Sequence, residues 1–368
     1  MAMGGQGGVC YNSAMFRRAQ NSARPPLPLL ITGIAGVPGY NALRYFQAKY
    51  PGQIVGIRQE ANLRCAGPGV VVCNAEDRAG IAKLFRRHEF AAVLDCAGNC
   101  ALRQCEMAPQ LAWKINVEGV RNLLLQTVPR GIRLVHLSVD LVFSGDRPGG
   151  YVEEDPIDPV TVYGRTMAAA EDVVLNDDPA ACILRISLPM GVSPNGHAGA
   201  IDWITSRFKK SRPATLYFDE LRTPSYTDCM NQLYETMLAG EFRGIYHAGG
   251  PRSLTLYQIG QIINRVGGYR PECLMGIPRC QAGAIPPRAG NVTMNSRKLI
   301  DALGYEPLGP WPWSDALVPA DLEWHYRRPA AEPGSPECLH RLLCNNPALP
   351  PNWPGRCLHG PEAQARYG

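Results

Sequence analysis

The chain has 368 residues, 37 Lys+Arg against 32 Asp+Glu for a formal net charge of +5, and 45% hydrophobic with 19% charged residues. That is the make-up of an ordinary globular protein with one large or two unequal domains. No basic stripe with interleaved aromatics marks a nucleic-acid surface, and no apolar run approaches the ~18 residues a membrane span requires. The 13 cysteines are odd in number, scattered and without a C-x-x-C pair, so reduced thiols in a cytoplasmic setting are expected rather than a disulfide framework.

Met1 to Pro26 is rich in Gly, Ser and Asn, carries Arg17, Arg18 and Arg24, and has no acidic residue. It reads as a disordered leader; a transit peptide or a later start at Met3 or Met15 are the alternatives. From Leu27 to Ile31 an apolar run predicts a buried strand. Gly33, Gly36 and Gly39 follow at the spacing G-x-x-G-x-x-G, and Tyr40, Leu43, Tyr45 and Phe46 then recur with helical period. Strand, glycine turn and helix in immediate succession let the backbone approach a pyrophosphate and present the positive helix end to it. Pro38 fits the first helical turn, where a missing N–H costs nothing.

Gln53 to Arg58 is the next strand. At the tip of a second strand an acidic group would bind the ribose hydroxyl of NAD and an arginine the phosphate of NADP, so Arg58 favours NADP(H) over NAD(H). Gly69 to Cys73 predicts a third strand, Asp77 to His88 a helix with Ile81, Leu84 and Phe85 on one face, and Ala91 to Cys96 a fourth strand running into Ala97, Gly98 and Asn99. Trp113 to Val128 reads as a long helix carrying Asn116, and Ile132 to Ser138 as a fifth strand. This alternation argues for an α/β fold with a parallel sheet covered on both faces. Cys96, Cys100 and Cys105 match no common metal spacing and are expected to pack.

The segment from His136 to Val174 reads HLSVDLVFSGDRPGGYVEEDPIDPVTVYGRTMAAAEDVV. Together with the glycine turn, DCAGNC at 95–100, KINVEGVRNLL at 114–124, DELRTPSYTD at 219–228 and GIYHAGG at 244–250, it resembles the extended short-chain dehydrogenase/reductases, and within them the dTDP-4-dehydrorhamnose reductase (RmlD-like) family. The resemblance spans most of Leu27 to about Tyr326. It implies a Rossmann-type doubly wound parallel sheet with a smaller C-terminal substrate lobe. The expected organisation is a leader (1–26), a nucleotide-binding domain (27–190), a mainly substrate-binding lobe (191–328) and a C-terminal extension (329–368).

In that family a Ser or Thr, a Tyr, and a Lys four residues beyond the Tyr act together. The Tyr gives a proton to a ketone that takes hydride from the nicotinamide, the hydroxyl bonds the same oxygen, and the Lys lowers the Tyr pKa and holds the ribose. This chain keeps Tyr163 but has Val139 at the hydroxyl position and Met167 where the Lys belongs. Ser138 is the possible substitute hydroxyl, although adjacent strand residues face opposite ways. An unassisted tyrosine, with a pKa near ~10, stays protonated at neutral pH, so it can serve as acid and not as base. The resemblance makes Gly33, Gly36, Val37, Gly39, Arg58, Cys96, Ala97, Gly98, Asn116, Ser138 and Tyr163 the cofactor-binding residues and Asp140 and Arg222 the substrate contacts.

Ala181 to Leu188 predicts a sixth strand and Asp202 to Lys210 a helix with Trp203, Ile204 and Phe208 inward. Arg222 is suited to a substrate phosphate or to a salt bridge with Glu220 or Asp228. His247, in a core strand, reads as a satisfied buried histidine. Tyr257 to Val266 predicts a further helix. Beyond Pro329 the resemblance ends. Cys338, His340, Cys344, Cys357 and His359 are zinc-ligand types, but their spacing matches no common finger and a loosely ordered extension is expected.

Two functions follow as expectations. One is a reductase of a nucleotide-linked 4-keto-sugar, of the dTDP-rhamnose biosynthesis type, with an impaired active site. The other is a redox-silent NADP-binding regulatory subunit like the methionine adenosyltransferase β subunit. The partner is then a nucleotide-sugar or a regulated protein, with a homodimer compatible and neither nucleic acid nor membrane involved.

Overall fold

The computed structural model describes residues 24–196, 198–328 and 333–356, so most of the expected leader lies outside the described residues. At its centre is an all-parallel seven-stranded sheet: β1 (Leu29–Ile31), β2 (Ile54–Arg58), β3 (Val70–Val72), β4 (Ala92–Asp95), β5 (Arg133–Val139), β6 (Cys182–Ile186) and β7 (Gly244–Ala248). They lie in the order β3-β2-β1-β4-β5-β6-β7. In register, Leu30 pairs with Val55 on one side and Val93 on the other.

The doubly wound arrangement follows from what each strand residue faces. Leu29 and Ile31 pack with Tyr45 and Phe46 of α1 (Val37–Lys49) and with Leu233 and Met237 of the helix Thr227–Ala239. Leu30, between them, packs on the opposite face with Ile81, Leu84 and Phe85 of α2 (Arg78–Arg87), Leu123 of α3 (Gly119–Thr127) and Val174 of α4 (Val162–Asp177). Helices cover both faces, which is why these strands are apolar runs rather than alternations. Each such side chain taken from water contributes on the order of 1.5–3 kcal/mol. Caps start the helices where the sequence changes period: the Asp77 carboxylate accepts from the N–H groups of Ala79 and Gly80, and the Thr161 hydroxyl accepts from Gly164.

Strand order reverses between β1 and β4, so the chain leaves β1 toward β2 and β3 and returns on its other side. In sheets of this kind the point of reversal, at the C-terminal strand ends, is where ligands are held. Beyond β6 the chain builds short strand pairs, Ala214–Tyr217 with Leu274–Ile277 and Leu221–Arg222 with Leu254–Thr255, around a helix at Leu256–Val266.

Three expectations are corrected. The long helix expected over Trp113 to Val128 holds a π-helical turn at Lys114–Glu118. Trp203 points outward from the helix Ala200–Lys209, 44% exposed, while Ile204 and Phe208 are buried as expected. The tail is not loosely ordered over 333–356: Leu339, Leu343 and Cys344 belong to the main core. Trp311 Nε1 donates to Leu343 O at 2.9 Å, Tyr226 Oη to Leu342 O at 2.7 Å, and Arg44 Nη2 to Arg356 O at 2.7 Å. Apolar spacing in so short a segment gave no period to read. Among the described residues no group of three or more His, Cys, Asp or Glu side chains could hold a metal, and Cys357 and His359 lie outside them.

Candidate functional site

The three glycines of the first turn do different work. Gly33 has φ +62°, and a Cβ on it would lie 2.2 Å from the carbonyl oxygen of Cys96; a Cβ on Gly39 would lie 2.5 Å from Gly33 O. Only glycine lets β1, the tip of β4 and the start of α1 come this close. Gly36 is different: its backbone is extended and a Cβ would meet nothing nearer than Gly33 O at 3.4 Å. It caps α1 without a side chain, which leaves the positive helix end open for an anion. Asn41 Nδ2 donates to Val37 O (2.7 Å) and Val192 O (2.9 Å), tying the helix start to the loop after β6.

At the end of β2, Arg58 Nη1 donates to the carbonyls of Gln59 and Glu60, each at 3.0 Å, while its buried Nε has no hydrogen-bond partner. A glycine turn drawn close to the strand tips, an open helix N-terminus and an orphaned guanidinium N–H at the second strand's tip together fit a dinucleotide. Gly33, Gly36, Val37 and Gly39 would hold its pyrophosphate and Arg58 would face its ribose end. When bound, the cofactor supplies or accepts hydride.

A polar network beneath the crevice escaped the sequence. Thr32 Oγ1 donates to Asp95 Oδ1 at 2.5 Å and accepts from the N–H groups of Cys96 and Ala97 at 3.0 Å each, and His136 Nδ1 lies 2.7 Å from Asp95 Oδ2. Three adjacent strands are thus tied together where β1 and β4 end. Polar residues inside otherwise apolar strands were the available signal, since a buried polar group requires a partner. Asn116, in the π-turn, accepts from Asn99 N at 2.7 Å and donates to Thr166 Oγ1 at 2.8 Å, which fixes the loop after β4 against α4. Of the three nearby cysteines, Cys105 is buried and donates to Asn99 O, Cys96 is half-buried, and Cys100 is exposed rather than packed.

Tyr163 and Met167, one helical turn apart, meet Val139 from the end of β5 in one apolar cluster. A Cβ on Gly98 would lie 3.8 Å from Met167 Sδ, so the thioether lies beside the loop after β4. Burial, with smaller contributions from Cys100 and Asp140, holds the Tyr163 phenol well above its ordinary pKa, and Arg222 only partly opposes this. A phenol in that state stays protonated, so it is available as an acid and not as a base, and burial makes it a weaker acid than an ordinary phenol.

Two expected roles are corrected. Ser138 does not turn toward Tyr163: its hydroxyl donates to Glu171, inside a buried ion pair in which Arg185 Nη2 meets Glu171 Oε2 at 2.7 Å. Adjacent strand residues face opposite ways, and Val139 takes the crevice side. Asp140 and Arg222 are committed to each other rather than free for substrate. Arg222 Nε and Nη2 meet Asp140 Oδ2 and Oδ1 at 2.6 and 2.5 Å, Ser187 Oγ donates to Asp140 Oδ2 at 2.6 Å, and Glu220 Oε1 lies 3.7 Å from Arg222 Nη1. Asp228, the other partner considered for Arg222, instead accepts from Asn346 N at 2.9 Å. His247 is buried and satisfied, with Nδ1 at 2.9 Å from Tyr151 O and Nε2 at 3.3 Å from Arg185 Nη1.

The model of the RmlD substrate binding domain family matches residues 28–319. The chain is 26% identical over 238 residues to the dTDP-4-dehydrorhamnose reductase of Aggregatibacter actinomycetemcomitans, covering 61% of this chain and 78% of that protein. It is 26% identical over 241 residues to methionine adenosyltransferase 2 subunit beta of Rattus norvegicus, covering 64% and 70%. Its fold superposes with a TM-score of 0.67, at 20% identity over 77% of this chain and 95% of the other, on dTDP-4-dehydrorhamnose reductase of Bacillus anthracis solved with NADP. No helix among the described residues is long and apolar enough to cross a membrane. With the glycine cradle, the switch-point crevice and a family match over most of its length, this chain belongs to the RmlD substrate binding domain family.

Proposed function

We propose that this chain binds NADP(H) at the glycine cradle and carries an attenuated reductase centre for a nucleotide-linked 4-keto-sugar, with Tyr163 as the proton donor. The observation that carries the reading is the apolar wall of Val139 and Met167 around a buried phenol. Such a phenol retains the reductive half of the family's chemistry, in which it is the acid, and lacks the cation that would let it act as base. Positioned acid–base assistance is worth on the order of 10²- to 10⁴-fold, so turnover far below that of an intact member is expected. Residues 191–328 supply the sugar-nucleotide contacts on this reading. Arg58 favours NADP(H) over NAD(H) through its unpartnered Nε.

A second reading, a redox-silent NADP(H)-binding subunit that regulates a protein partner, is favoured by the same loss of the Lys and hydroxyl positions and by the similarity to methionine adenosyltransferase 2 subunit beta. Rapid-mixing absorbance of NADPH with a panel of dTDP-4-keto-sugars separates the two. Slow NADPH consumption supports the reductase. Binding of NADPH with no consumption at high protein concentration removes it and leaves the regulatory subunit. Absence of NADPH binding removes both.

A further inference from the structure

Residues 333–356 tie together elements that are distant in the chain. At one end Ser335 N donates to Val266 O at 2.9 Å, at the close of the helix Leu256–Val266. At the other, Arg44 Nη2 of α1 donates to Arg356 O at 2.7 Å, and a Cβ on Gly355 would lie 2.5 Å from Tyr45 N. Between these ends the segment meets the first turn of the helix Thr227–Ala239 at Asp228, which is only 4% exposed. Asn346 N donates to Asp228 Oδ2 at 2.9 Å, and Asn346 Nδ2 donates to Cys229 Sγ at 3.2 Å. The two cations that act on Asp228 also hold carbonyls: Arg44 that of Arg356, and Arg356 Nη1 those of Leu349 and Pro350 at 2.9 and 2.8 Å.

The Asp228 carboxyl is pulled two ways. In the first turn of a helix the open N–H groups and the dipole favour its charged form. Beneath the segment it is withdrawn from water, where a charge with few partners is costly. Burial prevails: it raises Asp228 from 3.8 to about 6, against the Asn346 N–H, Arg356 and Arg44, which lower it. With the segment released, the helix end returns to water and the carboxyl to its ordinary range. The docked state then binds more protons between pH 3.8 and about 6, so docking strengthens as pH falls through that window and is weakest above it. The other titratable groups at this joint are Tyr226 and Cys229, which burial keeps neutral, Glu306, which burial also raises, and His340 in the segment itself.

We propose that residues 335–346 form a pH-gated strap, held hardest over the helix Thr227–Ala239 when Asp228 carries a proton and loosened when it is ionised. The test is hydrogen exchange read by mass spectrometry on the full chain at pH 5 and pH 7. Rates are corrected for the pH dependence of free amides, and the β5 amides serve as the reference for global unfolding. Protection of the amides at 339–346 is expected to rise about tenfold from pH 7 to pH 5. Asp228→Asn keeps an acceptor for Asn346 N and removes the charge, so its protection is expected to be the same at both pH values and no weaker than that of the unaltered chain at pH 5. His340→Gln and Glu306→Gln are expected to keep the original profile, and they decide the matter where Asp228→Asn does not fold. Protection that is flat in the unaltered chain, that rises with pH, that still varies in Asp228→Asn, or that stops varying in His340→Gln or Glu306→Gln would each overturn the proposal.

Discussion

On the proposed reading Tyr163 is the proton donor, and its neighbours set what it can do. Val139 and Met167 give it an apolar wall, and the nearby Arg222 is neutralised by Asp140. Restoring Met167→Lys with Val139→Thr is expected to raise NADPH-dependent reduction by one or more orders of magnitude, since positioned acid–base groups contribute about 10²- to 10⁴-fold. A steady-state rate on an accepted dTDP-keto-sugar checks it, and an unchanged rate argues for the regulatory reading. His247 makes a second residue-level prediction. Burial and the adjacent Arg185 lower its pKa to about 4. Because the folded pKa lies below the unfolded value near ~6.5, the unfolded chain binds the extra proton between the two, so stability from the neutral ring is present above pH ~6.5 and is lost as pH falls toward 4. The full effect is about 3 kcal/mol. Urea melts of the protein and of His247→Gln should diverge over that window at neutral pH and converge at its acid end. The loss of the Lys and hydroxyl positions was legible in the sequence through the resemblance to the RmlD-like family, whose motif puts those groups where Met167 and Val139 stand. The Asp140–Arg222 pair was not, because 82 residues separate its members.

At the scale of elements, the start of α1 separates folding from binding. Gly36→Ala introduces a methyl at a position with ordinary backbone angles and no close neighbour, so the melting temperature should change by less than the equivalent of about 1 kcal/mol. The methyl stands in front of the open helix end, and NADPH affinity in a fluorescence titration should fall about tenfold or more. Gly33→Ala should do something else. Its positive φ alone costs about 1–3 kcal/mol, and the Cβ collides with the Cys96 carbonyl, so the fold itself should weaken. Equal behaviour of the two variants would remove the distinction between a structural and a binding glycine. The spacing of the three glycines is visible in sequence. Which one faces the ligand depends on where β4 lies beside β1.

For the molecule as a whole, the tail is the unexpected part. Residues 333–356 close over α1 and the helix Thr227–Ala239, and Leu343 is fully buried. Leu343→Ala should destabilise the protein by about 2–5 kcal/mol, measured by urea unfolding, as expected for a deleted core side chain; a value near zero would mean the tail is not part of the cooperative unit. By itself the sequence determined the period and order of the elements and the glycine cradle, since these are encoded by residues within one turn or one strand of each other, while the doubly wound sheet and the vacant hydroxyl and lysine positions were read through the resemblance to the RmlD-like family. Only the tertiary structure decided that Ser138 belongs to Glu171, that Asp140 holds Arg222, that Thr32, Asp95 and His136 tie three strands together, and that the tail is core. Each of these joins groups far apart along the chain, and which buried polar group finds which partner is settled by packing once the strands are laid side by side.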